Sequence, residues 1–250
     1  MTKPIIGFWD TEWSPAVSYT WSNKPKFLAN EMLVEPARLL CFGVRKEGQR
    51  STKVVDERIG RVEMLTQLRD WLSEVDVLVS YNGQSFDTRK VNSEFMKEGL
   101  TPPAPYKEVD LYRVIRKNAS FYSHKLGYVA DEILDNTKVD TGGFDLWRRV
   151  LAGEEAAWRK FRTYQRKDVD LLVELFDQLR PWVKMPTPVG DPHENPTACH
   201  NCGNDHLQRR GWAYTLYGKY PRYQCAGENG CGKWLRGQSR QSTTEIRPAL

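Results

Sequence analysis

The sequence predicts an α/β protein: a mixed five-stranded sheet flanked by helices, followed by a small β domain. Three observations lead there. Strand-like segments first follow one another and then alternate with helical ones. The stretch from Met185 to Thr197 holds four Pro and a Gly among thirteen residues, too many breakers for a helix or an interior strand. Four of the five cysteines lie beyond it. We therefore expect one domain over 1–185, a linker over 186–197, and a second small domain with a basic tail over 198–250.

Taken in order, Pro4 to Asp10 is an apolar run of strand type, Arg38 to Arg45 alternates with period two, and Thr52 to Val55 and Asp76 to Ser80 supply two more strands. Val109 to Tyr112 closes a fifth. Arg61 to Ser73 carries Val62, Leu65, Leu68 and Leu72 at helical spacing, and Phe86 to Lys97 follows the fourth strand directly as a helix. The longest helix is expected from Glu154 to Leu179, where Tyr164, Leu171, Leu172, Leu175 and Leu179 keep close to one face and Pro181 stops the run. Trp13 to Pro36 has no clear period and is expected as an irregular insertion bordering a binding surface. Beyond the linker, Gln208 to Gln224 is a strand, a turn at Gly218, and a strand.

Composition narrows the function classes. The chain has 250 residues, 40% hydrophobic and 28% charged, with 12% aromatic, enough apolar material for a sizeable core. No apolar run approaches the roughly 18 residues of a membrane span. The N-terminus lacks a signal-peptide apolar stretch, so an intracellular address is expected. The net charge of +5 is unevenly placed: residues 198–250 hold eight Lys/Arg against three acids, so the whole excess sits there. A polyanionic partner is the natural expectation for that region.

Acid-x-acid pairs occur four times, at Asp10/Glu12, Glu74/Asp76, Glu108/Asp110 and Asp168/Asp170, about as often as composition alone gives. Context separates them. Asp10-Thr11-Glu12 ends the apolar run Ile5 to Trp9, and residues i and i+2 of an extended chain share a face. Two carboxylates so close repel unless a cation lies between them, which suggests Mg²⁺ or Mn²⁺. Tyr81-Asn82-Gly83-Gln84-Ser85-Phe86-Asp87 follows a strand, with Asn82-Gly83 as the turn, Ser85 as a candidate helix cap and Asp87 in the first helical turn. Tyr164 and Asp168 lie at i and i+4, on one face of the long helix.

Together these elements, in this order and spacing, resemble the DEDD superfamily of 3′-to-5′ exonucleases, in its tyrosine subtype. Val109-Asp110-Leu111-Tyr112 and Ser123-His124-Lys125-Leu126-Gly127-Tyr128 extend the likeness to proofreading domains of family B polymerases, over roughly residues 1–185. The resemblance implies a ribonuclease H-like fold in which Asp10, Glu12, Asp87 and Asp168 hold two Mg²⁺ or Mn²⁺ about 4 Å apart. It implies that Asp10 bridges the two ions, that Glu12 and Asp168 complete the water-activating site, and that Asp87 supports the second ion. Tyr164 would orient the attacking water, since a phenol with an ordinary pKa near 10 is a poor base at neutral pH. Asn82 and Phe86 would contact the terminal nucleotide, and His124 would be structural. With no polymerase palm in the sequence, a freestanding nuclease or an accessory subunit is expected.

Cys199-x2-Cys202 and Cys225-x5-Cys231 bracket the strand-turn-strand segment. Four thiolates so spaced suit one structural Zn²⁺, and the region looks like a zinc ribbon. Disulfides are the alternative for these cysteines, and His200 or His206 is the alternative to one thiolate. Between them Arg209, Arg210, Trp212, Lys219 and Arg222 interleave cations with aromatics, as suits phosphates and exposed bases. The expected substrate is DNA, with single-stranded 3′ ends preferred. An exoribonuclease, a non-catalytic nucleic-acid adaptor, and a ribbon that docks on a replication or repair protein are the alternatives.

Overall fold

The structure, a computed structural model, describes residues 3–134, 143–189, 195–216 and 218–243. The chain divides into two compact units, one formed by Ile5–Leu175 and the other by Met1–Pro4 with Phe176–Leu250.

In the first unit a five-stranded mixed sheet runs β5-β4-β1-β6-β7, from β1 (Ile6–Trp13), β4 (Leu39–Lys46), β5 (Lys53–Asp56), β6 (Val77–Ser80) and β7 (Lys107–Asp110). Pairs β1–β4 and β4–β5 are antiparallel, whereas β1–β6 and β6–β7 are parallel and are joined through α1 (Arg61–Ser73) and α2 (Asp87–Lys97). β1 is the central strand, and its Ile6, Phe8 and Trp9 are buried, as both faces of the sheet are covered. One face packs Trp9, Phe42, Val44 and Leu78 against Met64, Leu65, Leu68 and Leu72 of α1 and Val91 and Phe95 of α2. The other packs Leu40 and Cys41 against α5 (Asp145–Leu151) and α6 (Glu155–Leu179) through Leu146, Val150, Trp158 and Phe161. Along the chain α3 (Leu111–Asn118) and α4 (Leu126–Leu134) come between β7 and α5.

Several expectations need correction. β1 does not stop at Asp10 but runs through the acidic pair to Trp13, because its pairing with β4 continues past Glu12. Val62 is exposed, and Met64 takes its place in the apolar stripe of α1. Ser85 does not cap α2; the residue before the helix is Phe86, which makes no capping bond. The insertion after β1 is not wholly irregular, for β2 (Val17–Ser18) and β3 (Leu33–Glu35) form a short antiparallel ladder. β1 and β4 slip register after Glu12: Glu12 pairs with Cys41 and Trp13 with Leu39, leaving Leu40 as the extra residue of a bulge. The slip places Leu39 with Phe42 and Val44 on one face and Leu40 with Cys41 on the other.

The second unit contains β8 (Leu207–Thr215), β9 (Gly218–Cys225), β10 (Trp234–Arg236) and β11 (Ser242–Thr243), all antiparallel, with β9 pairing to each of the others. Among the described residues no helix is long and apolar enough to cross a membrane.

Candidate active site and metal centre

Alternation along β1 puts Asp10 and Glu12 on one face and Trp9 and Thr11 on the other. The acidic pair faces α6, which brings Asp168. Ligand oxygens of Asp10, Glu12 and Asp168 all lie within 4.8 Å of one another, and Asp168 is buried. Three carboxylates this close suit a hard divalent cation, because an ion held among them offsets their mutual repulsion.

Tyr164, one turn before Asp168, is part-buried and edge-on to Trp147, with ring centroids 6.0 Å apart. Burial raises its phenol well above the ordinary value, and the charges of Asp168 and Glu12, with a hydrogen bond to Asp168, raise it further. The phenol therefore keeps its proton at neutral pH. Gln165, fully buried, donates from Nε2 to the Asp10 carbonyl at 2.7 Å and to Asp10 Oδ2 at 3.2 Å. The Cys41 thiol lies 4.0 Å from Gln165 Oε1, and burial raises that thiol well above its usual range. Gly43, opposite Asp10 in the ladder, makes the approach of α6 possible: a Cβ there would sit 2.9 Å from Val169 Cγ2 and 3.1 Å from Gln165 Nε2.

Asp87 is not in the three-carboxylate group. It leaves the first turn of α2, which packs on the opposite face of the sheet, and it accepts a hydrogen bond from Thr11, the residue between the two acids. Trp13 Nε1 donates to the same Thr11 hydroxyl at 2.8 Å. Burial lifts the Asp87 carboxyl to about 6, although the hydrogen bonds from Thr11 and Trp13 and the charge of Lys90 act the other way. The Lys90 ammonium sits 4.0 Å above the exposed Phe86 ring and 4.6 Å from that of Trp13. Asn82 has a positive φ of 63°, a backbone that Asn tolerates better than most residues, and its N–H donates to Asp110 Oδ1 at 2.8 Å. Gly83 completes the turn, since a Cβ there would strike Ser80 at 2.6 Å. The Asn82-Gly83 sequence thus has a structural cause of its own. His124 takes part in ring contacts with Tyr112 and Phe121, and its carbonyl accepts from the Tyr81 hydroxyl at 2.6 Å.

In the second unit the Sγ atoms of Cys199, Cys202, Cys225 and Cys231 all lie within 4.8 Å of one another. Cys199–Cys231 and Cys202–Cys225 separations are 3.7 and 3.6 Å, far beyond a disulfide bond of about 2.05 Å. Thiolates arranged tetrahedrally at about 2.3 Å from one ion would be about 3.8 Å apart, so the cluster fits Zn²⁺. Hydrogen bonding among the thiols drives Cys202 down and Cys199 up, as expected of sulfurs that cannot all ionise without a cation. His200 is turned away, with Nε2 3.2 Å from the Met185 carbonyl. Buried Asn201 clamps this knuckle by donating to the Arg180 carbonyl at 2.6 Å.

The five basic and aromatic residues expected to touch substrate do not share one surface. Arg209, Trp212 and Lys219 lie on one face of the small sheet, where both cations cover the Trp212 ring at 4.5 and 4.1 Å. Arg222 lies on the other face, and Arg210 offers its carbonyl to Arg222 Nε at 2.9 Å. A bulge at Gly211, with φ of 77°, explains the grouping: three steps along β8 from Arg209 to Trp212 match two along β9 from Tyr223 to Pro221.

The sequence profile of the RNase H superfamily matches residues 36–180, more than half the chain. The chain belongs to the RNase H superfamily. Among solved structures it is similar to a family B DNA polymerase from the hyperthermophilic archaeon Pyrobaculum calidifontis, with a TM-score of 0.56 at 16% identity. That match covers 89% of this chain and 33% of the polymerase, so the chain spans about a third of its length. A search of curated proteins finds no match. In this RNase H superfamily chain the matched segment contains Asp87, Tyr164 and Asp168, whereas Asp10 and Glu12 precede it and the cysteines follow it. The sheet order and mixed strand directions are those of the expected ribonuclease H-like fold, in the unit formed by Ile5–Leu175. Thr11, Gln165 and Asn201 went unrecognised in the sequence. Thr11, between the two acids of the first motif, and Gln165, on the helical turn between Tyr164 and Asp168, carry a positional hint.

Proposed function

We propose that this protein is a metal-dependent 3′-to-5′ exonuclease that hydrolyses phosphodiester bonds of DNA, preferentially at single-stranded 3′ ends. The observation that carries this is the convergence of Asp10, Glu12 and Asp168 within 4.8 Å beside a protonated Tyr164. Two Mg²⁺ or Mn²⁺ would be held by these three carboxylates together with Asp87, the fourth acid, which hydrogen-bonds Thr11 from the opposite face of β1. Bound there, the cations supply Lewis acidity for water activation and for departure of the 3′-oxygen. Tyr164, kept neutral, orients the attacking water by hydrogen bonding and is not itself the base. Gln165 fixes the position and rotamer of Asp10 through its two bonds. Asn82 and Phe86, at the turn before α2, flank the terminal nucleotide. In the second unit one Zn²⁺ on the four cysteines is structural, since four thiolates leave no open coordination position. A nuclease role is supported by membership of the RNase H superfamily, and the choice of DNA by the polymerase fold likeness.

The test uses 5′-labelled single-stranded DNA, duplex DNA and RNA of one sequence with Mg²⁺. A descending ladder, fastest on single-stranded DNA, is expected, with Asp10→Ala inactive but still binding and Tyr164→Phe slowed less. Preference for RNA would replace the substrate assignment by an exoribonuclease. Equal cleavage by wild type and Asp10→Ala would remove the catalytic assignment.

A further inference from the structure

We propose that the face of the second unit's sheet built from Tyr220, Arg222, Trp234 and Arg236 is a stacking platform for single-stranded nucleic acid. The inference goes beyond the catalytic proposal and would survive its failure, because it concerns binding alone.

Strand register assigns the faces. Directly paired residues of an antiparallel sheet point the same way. Arg236 pairs with Arg222, Trp234 with Gln224, Gln208 with Gln224, and Ala213 with Tyr220, so these side chains share one surface. Ring contacts agree with that assignment. The Arg222 guanidinium lies 4.9 Å from the Trp234 ring centre, and that of Arg236 lies 4.4 Å over Tyr220. Each cation therefore covers an aromatic of the neighbouring strand, and Arg222 is further fixed by its bond to the Arg210 carbonyl. Arg222, Arg236 and Trp234 are all exposed.

The opposite face is differently employed. Its Leu207, Pro221, Tyr223 and Leu235 line a cleft of about 870 Å³ whose other walls include Pro188, residues 195–200 and, from the edge strand β10, Arg236 of the same unit. Its Trp212 is already flanked by Arg209 and Lys219. The outward surface is thus the Trp234 side. Of the five residues expected from the sequence it contains Arg222 and also Arg210, whose guanidinium donates to Gln208 Oε1 at 2.6 Å.

Chemistry selects the ligand. β8, β9 and β10 contain no Asp or Glu, and among the described residues neither Arg222 nor Arg236 has a carboxylate partner. Flat guanidinium and indole surfaces held at stacking distance accept unpaired bases of any sequence, while the same cations take the phosphates. A duplex hides its base faces in the stack and so has nothing to lay on an indole or tyrosine ring. The net charge of +5 over residues 198–250 matches a polyanion.

The experiment measures fluorescence anisotropy of a labelled oligothymidylate with full-length, zinc-loaded protein carrying Asp10→Ala, so that cleavage does not intrude. Arg222→Gln with Arg236→Gln should raise Kd at least about 10-fold and lower the slope of log K against log salt by about 1.4, the value for two lost single-strand phosphate contacts. Trp234→Ala should raise Kd about 5- to 100-fold and Trp234→Phe much less, as for loss and retention of one stacked base. Arg209→Gln with Lys219→Gln, on the opposite face, should change Kd less than about threefold. Zinc content and circular dichroism verify that each variant is folded. Unchanged affinity in the Arg222/Arg236 pair, a larger loss in the Arg209/Lys219 pair, or tighter binding to duplex than to single strand would overturn the proposal. Absence of cleavage by the wild type, with binding as described, would leave it standing and remove only the catalytic assignment.

Discussion

Gly43→Ala tests whether the distance between β4 and α6 sets the carboxylate cluster. The added methyl would lie 2.9 Å from Val169 Cγ2, 3.1 Å from Gln165 Nε2 and 3.2 Å from Gln165 Cγ. Comfortable carbon contacts begin near 3.5 Å, so α6 must retreat by roughly 0.5–1 Å. It has no slack, because Val169 and Gln165 are both fully buried. Overpacking of this kind costs about 1–3 kcal/mol, or roughly 3–10 °C in melting temperature for a chain of this size. Val169 adjoins Asp168, so the retreat carries that carboxylate away from Asp10 and Glu12 by more than the ~0.5 Å such a site tolerates. Cleavage should fall on the order of 10²-fold. Mn²⁺ titration followed by electron paramagnetic resonance, together with thermal melts, reads both effects. Val169→Ala removes the nearest obstructing atom, so adding it to Gly43→Ala should recover part of the loss, with a coupling of about 1 kcal/mol. If Gly43→Ala binds Mn²⁺ as the wild type does, the helix approach is not what sets the site.

The carboxyl of Asp87 gives a pH signature. Its proton is held more tightly in the folded chain, near 6 against an ordinary 3.8, so in metal-free protein its contribution to stability is greatest below about pH 4. That contribution declines as pH rises through about 6, by roughly 2–3 kcal/mol. Urea melts from pH 4 to 7 should show this decline in the wild type and not in Asp87→Asn, and identical slopes would contradict it. Zinc analysis should find one ion per chain, lost in Cys202→Ser, with residues 198–243 becoming protease-sensitive; equal resistance without zinc would show that the cysteines are not a structural metal site. Asn82→Gly should keep the turn and the fold, while Asn82→Ala costs about 1 kcal/mol. Should Asn82→Gly also keep full cleavage, the Asn82 amide makes no essential substrate contact.

What the sequence disclosed and what it hid follow from the range of the interactions. Helix α1 runs from Arg61 to Ser73 as expected, and α6 starts within one residue of its expected beginning, because apolar spacing and Pro181 are local signals. The pairing of Asp10 with Glu12, and of Tyr164 with Asp168, was legible for the same reason: strand and helix periods put each pair on one face. Asp87 was located on its helix, but the face of the sheet on which that helix packs is a tertiary fact, and it places the carboxyl on Thr11. Gln165 escaped notice because an amide beside a core stripe looks like any polar helix residue until its partner, a carbonyl 155 positions earlier, is in view. Register slips were equally hidden. At Leu40 and at Gly211 the period breaks, and counting alternate residues assigns the wrong face on one side of each.

The slip at Gly211 makes spacing itself a carrier of chemical meaning. Deleting a single residue beside it would restore strict alternation and transpose the side chains from Trp212 to Thr215, leaving the neighbouring strand as it was. The indole now lodged between Arg209 and Lys219 would emerge next to Tyr220 and Arg222, Tyr214 would turn with it, and the outward surface would gain a third and a fourth ring. Two versions of this hairpin with nearly the same letters, one a residue shorter, would thus offer different partners a different side.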